Sequence, residues 1–414
     1  MKAAPSAASA LLVTQYYRPE LIGSAPFCGD VAEWLRRHGV PVEVLTSRPH
    51  YPGNEVFADY RSGERDLEIL NNVPVTRLPT RAPRNGGAVQ RIASAGYFLA
   101  QGLKTIAQGG VARREIVVSL SPSILAVILG NFARARNGRH IVIVHDIESG
   151  LAQGLGIAGG RFILGLLRKI EGIALNRADL ILVLSEEMKA QLEARGVRRP
   201  IGSLPIWIDT ERIRPLPAPQ GQPLTLLYSG NFGRKQSLHQ VLALAGILKR
   251  SDPDIRLVLR GDGREAEALT GCVKEAALDN IQFSPLVPPE RLNEALAEGD
   301  IHLVPQDPQG ADFAVPSKIF CIMAAGRPFV ATAVPGSQIW RLQAESEAFF
   351  CVPPDQPEVF AAAVRQLAAD ETLRAELGAR GRAYVEAHHT KAKILRDFMM
   401  AATGSEPGPI ADEA

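Results

Sequence analysis

The sequence predicts an α/β protein with two Rossmann-like domains in tandem. Its 414 residues exceed what one hydrophobic core ordinarily organises, since domains average about 150 residues. Short apolar runs of strand length alternate with longer runs of helical periodicity, which is the pattern of a parallel, doubly wound sheet. The alternation stops once, in a proline-rich segment at residues 214–223, and then restarts. These observations predict two parallel sheets joined by a linker.

The elements of the first half follow from short runs rich in Val, Ile and Leu and from the helical stretches between them. Strands are predicted at residues 10–15, 41–46, 73–78, 116–120, 140–145 and 179–184. Helices are predicted at residues 24–38 and 90–106, after Pro122, and at 161–176. In the resulting sheet the carboxyl ends of the strands, where ligands bind in this architecture, lie along one edge.

The second half repeats the pattern. Strands are predicted at residues 224–229, 255–259, 281–283, 300–304 and 328–332, and helices at 238–250, 289–299, 357–369 and 375–388, with a further helix opening at Pro316. We therefore expect a first domain at residues 1–210, a linker at 211–223, a second domain at 224–390, and a C-terminal helix and tail at 391–414. Tandem domains of this kind are expected to face each other across a central cleft, each holding one substrate.

Composition excludes several classes of protein. Hydrophobic residues make up 46% and charged residues 22%, and the formal net charge is +2, so neither a disordered chain nor a nucleic-acid partner is expected. The four cysteines lack CxxC spacing, which argues against zinc and fits a reducing compartment. The N-terminus lacks the apolar core of a secretory signal, so a cytoplasmic location is expected. Residues 116–133 are interpreted as a strand, a Ser-Pro turn and a buried helix rather than a membrane span.

A first phosphate-binding stretch is predicted at Pro316, Ser317 and Lys318. Pro316 suits a first helical position, because its missing N–H would be unpaired there. Ser317 and Lys318 add a hydroxyl and a cation at the positive end of the helix dipole. The alternative is an ordinary helix start.

Two further glycine loops follow predicted strands of the second domain. Gly230 and Gly233 would let the backbone approach a ligand, with Lys235 adding a cation near the next helix, although the Walker pattern is absent. Arg260 and Gly261 repeat this logic, with Arg260 expected to pair with an anion. The alternatives are turn glycines with a surface lysine, and a plain turn.

The first domain offers ionisable groups at its strand ends. Gly23 lies between the first strand and the first helix, without the GxGxxG of a dehydrogenase. His145 and Asp146 follow the fifth predicted strand, where the histidine could position a sugar hydroxyl; the alternative is a core histidine with its hydrogen bonds satisfied. Asp252 and Asp254 form a DxD pattern, which we interpret as a surface turn rather than a metal site.

A basic, partly apolar helix spans residues 91–104 and carries Tyr97, Phe98 and Leu99. Such a face could rest on anionic lipid headgroups at the inner surface of the cytoplasmic membrane. A solvated basic face whose helix packs on its own sheet explains the pattern equally well.

Together, several short motifs resemble glycosyltransferase family 4, and within it the branch that contains the colanic-acid fucosyltransferase. These motifs are residues 16–20 (YYRPE) with Gly23, 49–52 (PHYP), 145–148 (HDIE), 204–209 (LPIWID), 228–231 (YSGN) with Lys235, and 316–318 (PSK) with 324–328 (AAGRP). The resemblance implies the two-domain GT-B fold with C-terminal helices crossing back to the first domain. It also implies retaining transfer of a sugar from a nucleotide diphosphate donor, without a structural metal or other cofactor.

The resemblance also implies roles for particular residues. Lys235 would contact the donor diphosphate, Gly230 and Asn231 would form the loop beside it, and Gly23 would lie over the donor. Pro316, Ser317 and Lys318 would begin a helix whose N-terminus faces the phosphates. The sequence departs from the family where many members carry a Glu-x7-Glu pair, because Phe313 and Cys321 stand at those positions. His145 stands where the branch often has glutamine, so its catalytic role is a hypothesis, and Asp146 is the better match.

The resulting prediction is a cytoplasmic, membrane-associating enzyme that moves a sugar, with GDP-fucose or a UDP-sugar as donor, onto a lipid-linked oligosaccharide of exopolysaccharide or lipopolysaccharide assembly. The alternatives are a family 4 transferase with a soluble acceptor, a GT-B-like sugar-nucleotide epimerase, and a non-enzymatic scaffold whose site has decayed. Pocket shape sets base and sugar selectivity, which these motifs do not specify.

Overall fold

The computed structural model describes residues 9–20, 23–50, 55–82, 88–121, 123–147, 160–217, 223–308 and 316–405. The chain divides into two compact units, Met1–Pro205 with Ile394–Ala414, and Ile206–Lys393. The predicted fold class is confirmed, because each unit is an α/β body around its own sheet, and all strand pairs except one antiparallel pair are parallel within the described residues. Ile394–Ala414 belongs to the first unit. This agrees with the prediction that the C-terminal end of the chain crosses back to the first domain.

The first unit contains an eight-stranded sheet in the order β3-β4-β2-β1-β5-β6-β7-β8. Its strands are β1 (Ala10–Val13), β2 (Val42–Ser47), β3 (Leu67–Leu70), β4 (Val73–Leu78), β5 (Arg114–Ser121), β6 (Arg134–Val144), β7 (Leu180–Val183) and β8 (Ile201–Ser203). Its helices include α1 (Ala25–Arg37), α2 (Ala88–Ala107), α3 (Ile124–Ala133), α4 (Gly160–Leu175) and α5 (Glu186–Ala194). The strand order reverses between β1 and β5, so a crevice is expected at their carboxyl ends.

The second unit contains a six-stranded sheet in the order β11-β10-β9-β12-β13-β14. Its strands are β9 (Thr225–Asn231), β10 (Arg256–Asp262), β11 (Ile281–Ser284), β12 (Ile301–Pro305), β13 (Phe329–Thr332) and β14 (Phe350–Val352). The helices are α6 (His239–Ser251), α7 (Ala266–Glu275), α8 (Leu292–Ala297), α9 (Lys318–Ala324), α10 (Gln338–Ser346), α11 (Pro357–Ala369), α12 (Glu371–His388) and α13 (Lys391–Thr403), the last of which returns to the first unit. The order reverses between β9 and β12.

The central strands are apolar on both faces because helices cover both sides of a parallel sheet. All four residues of β1 and all five of β12 are buried. A large core cluster of the second unit joins β9, β10, α6 and α11 through residues such as Leu226, Val241, Leu257 and Phe360. Since burying each such side chain contributes about 1.5–3 kcal/mol relative to exposure, this packing holds the strand ends in fixed positions.

The basic helix predicted near residues 91–104 is α2. Phe98 is buried, and Leu99 and Leu103 pack against the core cluster formed by β1, β5 and α3. Arg81 lies 4.5 Å from the ring centroid of Tyr97. Much of the apolar surface of the helix therefore packs against the core of the first unit. This agrees with the alternative interpretation, in which a basic helix packs on its own sheet.

The predicted strand and helix of residues 116–133 are observed as β5 and α3, and Pro122 of the predicted turn lies outside the described residues. In the part of the chain that the structure describes, every helix is too short or too polar to traverse a bilayer. Asp252, from the DxD pattern, accepts a hydrogen bond from Arg365 Nε at 2.8 Å beyond the end of α6. This carboxylate therefore belongs to a surface ion pair.

Two buried histidines are expected to make the free energy of unfolding depend on pH. Burial lowers the pKa of His140, in β6, to about 3, and burial likewise lowers the pKa of His302, in β12, to about 3. In the unfolded chain histidine titrates near pH 6.5. Below that pH the unfolded state binds more protons, so we expect stability to fall by about 1.4 kcal/mol per pH unit for each histidine until the native pKa is reached.

Thermal unfolding measured between pH 7.5 and pH 5 checks this expectation. His140→Gln should make the unfolding midpoint less dependent on pH, whereas His388→Gln, at an exposed position, serves as the matched control. A midpoint that stays constant down to pH 5 would contradict the proposed burial of neutral imidazoles.

Candidate active site

The second unit brings most of the predicted donor-binding residues to the carboxyl edge of its sheet. Gly230 and Asn231 end β9, and Gly261 lies beside Gly230 near the end of β10. β9 pairs with β10 through Asn231, whereas its pairing with β12 covers Leu226 and Leu227. The end of β9 therefore diverges from β12 at the position where the strand order reverses, which is where open α/β sheets bind ligands.

Lys318 lies beside the end of β9. Its side chain is half-buried as a whole, but its Nζ is enclosed and lies 3.8 Å from the ring centroid of Tyr228. A Cβ built on Gly230 would lie 3.4 Å from this Nζ, and the φ of Gly230 is 148°, which disfavours side chains. Glycine at this position therefore keeps the backbone free of a side chain next to a buried amine.

Tyr228 belongs to the YSGN motif, which by itself assigns it no role. Its ring lies under the amine of Lys318, and its hydroxyl donates to the carbonyl of Asn231 at 2.7 Å. Residues two apart in a strand lie on the same face, so Tyr228 and Gly230 share a face of β9, whereas the contact of Tyr228 with Lys318 depends on packing against α9. The aromatic ring positions the cation, and the hydroxyl holds the loop after β9.

The remaining predicted residues around Lys318 have simpler surroundings. The helix begins at Lys318 rather than at Pro316, and Ser317 occupies its N-cap without a side-chain capping hydrogen bond. The carbonyl of Pro316 accepts from the amide of Ile319 at 3.0 Å. Cys321, one turn further, has its pKa raised to about 11 by burial and is therefore a neutral thiol at pH 7. Phe313 lies outside the described residues.

Lys235 lies in a single 3-10 turn, Arg234–Gln236, between β9 and α6. Its side chain is exposed, and its carbonyl accepts from the amide of Asp307 at 3.0 Å. This bond attaches the loop after β9 to the segment that follows β12. The geometry leaves the amine of Lys235 accessible to an anionic ligand.

The prediction made for Arg260 is not supported by its contacts. Arg260 was predicted to pair with an anion of the donor, but its guanidinium is buried, donates to the carbonyl of Ala295 at 2.8 Å and forms an ion pair with Glu298. A buried arginine is stable when its charge is paired in this way. Arg260 therefore holds α8 against β10, and we exclude it from the donor site.

In the first unit, His145 and Asp146 follow β6, and Gly23 precedes α1. The ring of His145 meets Phe27 of α1 edge to face, with 5.0 Å between centroids. The amide of His145 donates to Ser121 O at 3.2 Å, and Ser121 Oγ donates to the carbonyl of Asp146 at 3.1 Å. These contacts fix both residues at the carboxyl edge, near the first turn of α1.

Burial lowers the pKa of His145 to about 4. The imidazole is therefore neutral at pH 7, with one nitrogen able to donate and the other able to accept a hydrogen bond. This protonation state suits the binding of a hydroxyl group better than the binding of a phosphate.

Solved structures show which class of protein this fold defines. Sucrose-phosphate synthase from Thermosynechococcus elongatus superimposes with a TM-score of 0.73 at 18% identity, over 95% of this chain and 97% of that chain. HepE from Anabaena, solved in complex with UDP and glucose, gives a TM-score of 0.68 at 15% identity, over 95% and 99% of the two chains. These likenesses confirm the GT-B fold.

Sequence comparisons then identify the family. Residues 23–207 match the model described as glycosyl transferase 4-like domain, and residues 223–370 match the model described as glycosyl transferases group 1. A protein of Escherichia coli (strain K12) that carries the name putative colanic acid biosynthesis glycosyl transferase WcaI is 28% identical over 404 residues, which are 92% of this chain and 97% of that protein. The chain belongs to the family 4 glycosyltransferases, as the sequence motifs predicted.

Proposed function

We propose that this glycosyltransferase binds a nucleotide diphosphate sugar at the carboxyl edge of the second sheet and transfers the sugar, with retention of configuration, to a lipid-linked saccharide. The observation that carries the donor assignment is the enclosed amine of Lys318 beside Gly230, with Lys235 exposed on the adjoining turn. A buried lysine beside the end of β9 and an exposed lysine on the turn that follows β9 suit a diphosphate. The complex of HepE with UDP and glucose supports a donor of this chemical class.

The proposed reaction breaks the bond between the sugar and the diphosphate and forms a bond from the same sugar carbon to an acceptor oxygen. The acceptor hydroxyl releases its proton to solvent, and the diphosphate leaves with an additional negative charge. Lys235 and Lys318 stabilise that charge as it develops, and electrostatic stabilisation of this kind is usually the largest single contribution to catalysis. The backbone of Gly230 allows the diphosphate to approach them.

The first unit is proposed to bind the acceptor. The neutral imidazole of His145 would hydrogen-bond a sugar hydroxyl, and Asp146 would lie beside it on the segment fixed by Ser121. The name of the E. coli relative supports an acceptor of bacterial polysaccharide assembly. An acceptor carried on a lipid would bring the enzyme to the inner face of the cytoplasmic membrane, where anionic headgroups attract basic residues.

The test is transfer of radiolabelled sugar from UDP-glucose, a second UDP-sugar or GDP-fucose to a lipid-linked saccharide and to the same saccharide released from its lipid. We expect transfer from one nucleotide donor to the lipid-linked acceptor, and NMR of the product should show the anomeric configuration of the donor. Equal transfer to the released saccharide would favour a soluble acceptor. Rearranged nucleotide sugar formed without acceptor would indicate an epimerase.

Removal of divalent metal gives a second test. Because the two lysines are proposed to neutralise the diphosphate, we expect activity to be the same within about twofold before and after treatment with EDTA. Loss of activity that added Mg²⁺ or Mn²⁺ restores would contradict the metal-free part of the proposal.

A further inference from the structure

The surroundings of the Lys318 amine differ from those of an ordinary surface lysine. Its Nζ is enclosed, has no hydrogen-bond partner within the described chain, and contacts the face of Tyr228 at 3.8 Å from the centroid. An aromatic face attracts a cation, by about 0.5–2 kcal/mol, but it accepts far less of an ammonium group's hydrogen-bonding capacity than water does. A buried amine without a counter-anion favours its neutral form.

Among the residues that the structure describes, the titratable groups on the neighbouring elements supply no such anion. The hydroxyl of Tyr228 donates to Asn231 O, and burial raises its pKa above the usual range, so it is uncharged. His302 of β12 is neutral at pH 8, because burial lowers its pKa to about 3. On β10 the guanidinium of Arg260 is already paired with Glu298.

Two further titratable groups lie on or next to α9 in the described part of the chain. Cys321 is a neutral thiol, and burial lowers the pKa of Arg327, which donates to the carbonyl of Leu216 at 2.8 Å. Burial is likewise the cause that lowers the pKa of Lys318, to about 7. At pH 8 most molecules of the free enzyme therefore carry a neutral amine at this position.

We propose that Lys318 takes up a proton when the diphosphate of the donor binds beside Gly230, so that nucleotide binding and protonation are coupled at this amine. The inference rests on the proposed function, which places the diphosphate there. A bound diphosphate supplies the missing counter-anion and favours the charged form of the lysine. The cation that stabilises the leaving group is thus formed by the ligand itself.

This coupling has a consequence for affinity. If one proton is taken up, the dissociation constant should rise about tenfold per pH unit above the pKa of the free amine. Between pH 8 and pH 9 the affinity for the nucleotide is therefore expected to fall about tenfold.

Titration calorimetry with UDP and with GDP at pH 8 tests the coupling. Buffers with different ionisation enthalpies, Tris and HEPES, should give different binding heats that correspond to uptake of nearly one proton. Lys318→Arg should bind without proton uptake and with an affinity that stays constant from pH 8 to pH 9, because arginine remains charged. Lys318→Gln should bind more weakly, also without uptake.

Lys235→Ala is the matched control, because it removes an exposed cation from the same site. It should weaken binding but leave the number of protons unchanged. If neither nucleotide nor any of the sugar donors binds, the proposed function itself fails. If a nucleotide binds with the same heat in both buffers, or if Lys318→Arg still takes up a proton, the coupling at Lys318 is wrong while the donor site stands.

Discussion

Replacement of Lys235 by alanine is expected to reduce kcat/KM for the sugar donor by about 10²- to 10³-fold, which is the usual effect of removing one group that stabilises developing negative charge. The side chain is exposed, and its loop is held by the backbone bond from Asp307. Its removal should therefore change the free energy of unfolding by less than about 0.5 kcal/mol. Steady-state kinetics and thermal unfolding of the same preparation measure the two effects.

Lys274→Ala provides the control for Lys235→Ala. Lys274 is an exposed lysine of α7 in the same unit, so its loss changes the net charge equally without touching the strand ends. We expect full activity from Lys274→Ala. Equal losses in both variants would show a general charge effect, and an active Lys235→Ala enzyme would refute the assignment of this lysine to the diphosphate.

The sequence predicted the central parts of both sheets and missed strands at their edges. β1 and β12 were found because their residues are mostly apolar and all buried, and β4 was found although it contains Thr76 and Arg77. β3, β8 and β14 were missed, and each lies at the edge of a sheet and has three or four residues. An edge strand pairs on one side and is partly exposed, so its hydrophobic pattern is short and weak.

The start of β6 shows a related limit. The predicted strand begins at His140, but the observed strand begins at Arg134, and its register with β5 shifts between Arg114 and Ile116. Residues 134–139 are polar, and periodicity therefore gave no strand signal there. Backbone pairing with a neighbouring strand extends β6 beyond its apolar part.

The site was predictable to the extent that chain position determines it. Residues that follow parallel strands reach one edge, so Gly230, Asn231 and Lys235 could be placed there by their order alone. The ion pair between Arg260 and Glu298 could not be predicted in this way, because Glu298 lies on another element and the two residues are brought together by packing. The burial of Lys318 likewise depends on a ring that is distant in sequence, which the local motif did not indicate.

Gly261→Ala is expected to affect both stability and donor binding, because β9 and β10 approach too closely at this position to admit a side chain. A Cβ on Gly261 would lie 2.0 Å from the carbonyl oxygen of Gly230 and 2.5 Å from Cε1 of Phe232. The first of these atoms belongs to the backbone of the paired strand, so the clash is relieved only if the strands separate. Overpacking of this kind costs about 1–3 kcal/mol, sometimes more.

The same displacement moves Gly230 relative to Lys318, and a shift of about 1 Å at a reacting centre can cost about 100-fold in rate. We therefore expect Gly261→Ala to lower the unfolding midpoint and to weaken nucleotide binding at least about tenfold. Gly271→Ala adds the same methyl group within α7, where no atom beyond its own chain neighbours and helix backbone lies within 4 Å of the new Cβ. Because alanine favours a helix over glycine by about 1 kcal/mol, this control should be as stable as the parent or more so, with unchanged nucleotide affinity. Equal behaviour of the two variants in calorimetry and thermal unfolding would show that the close contact of β9 and β10 does not shape the donor site.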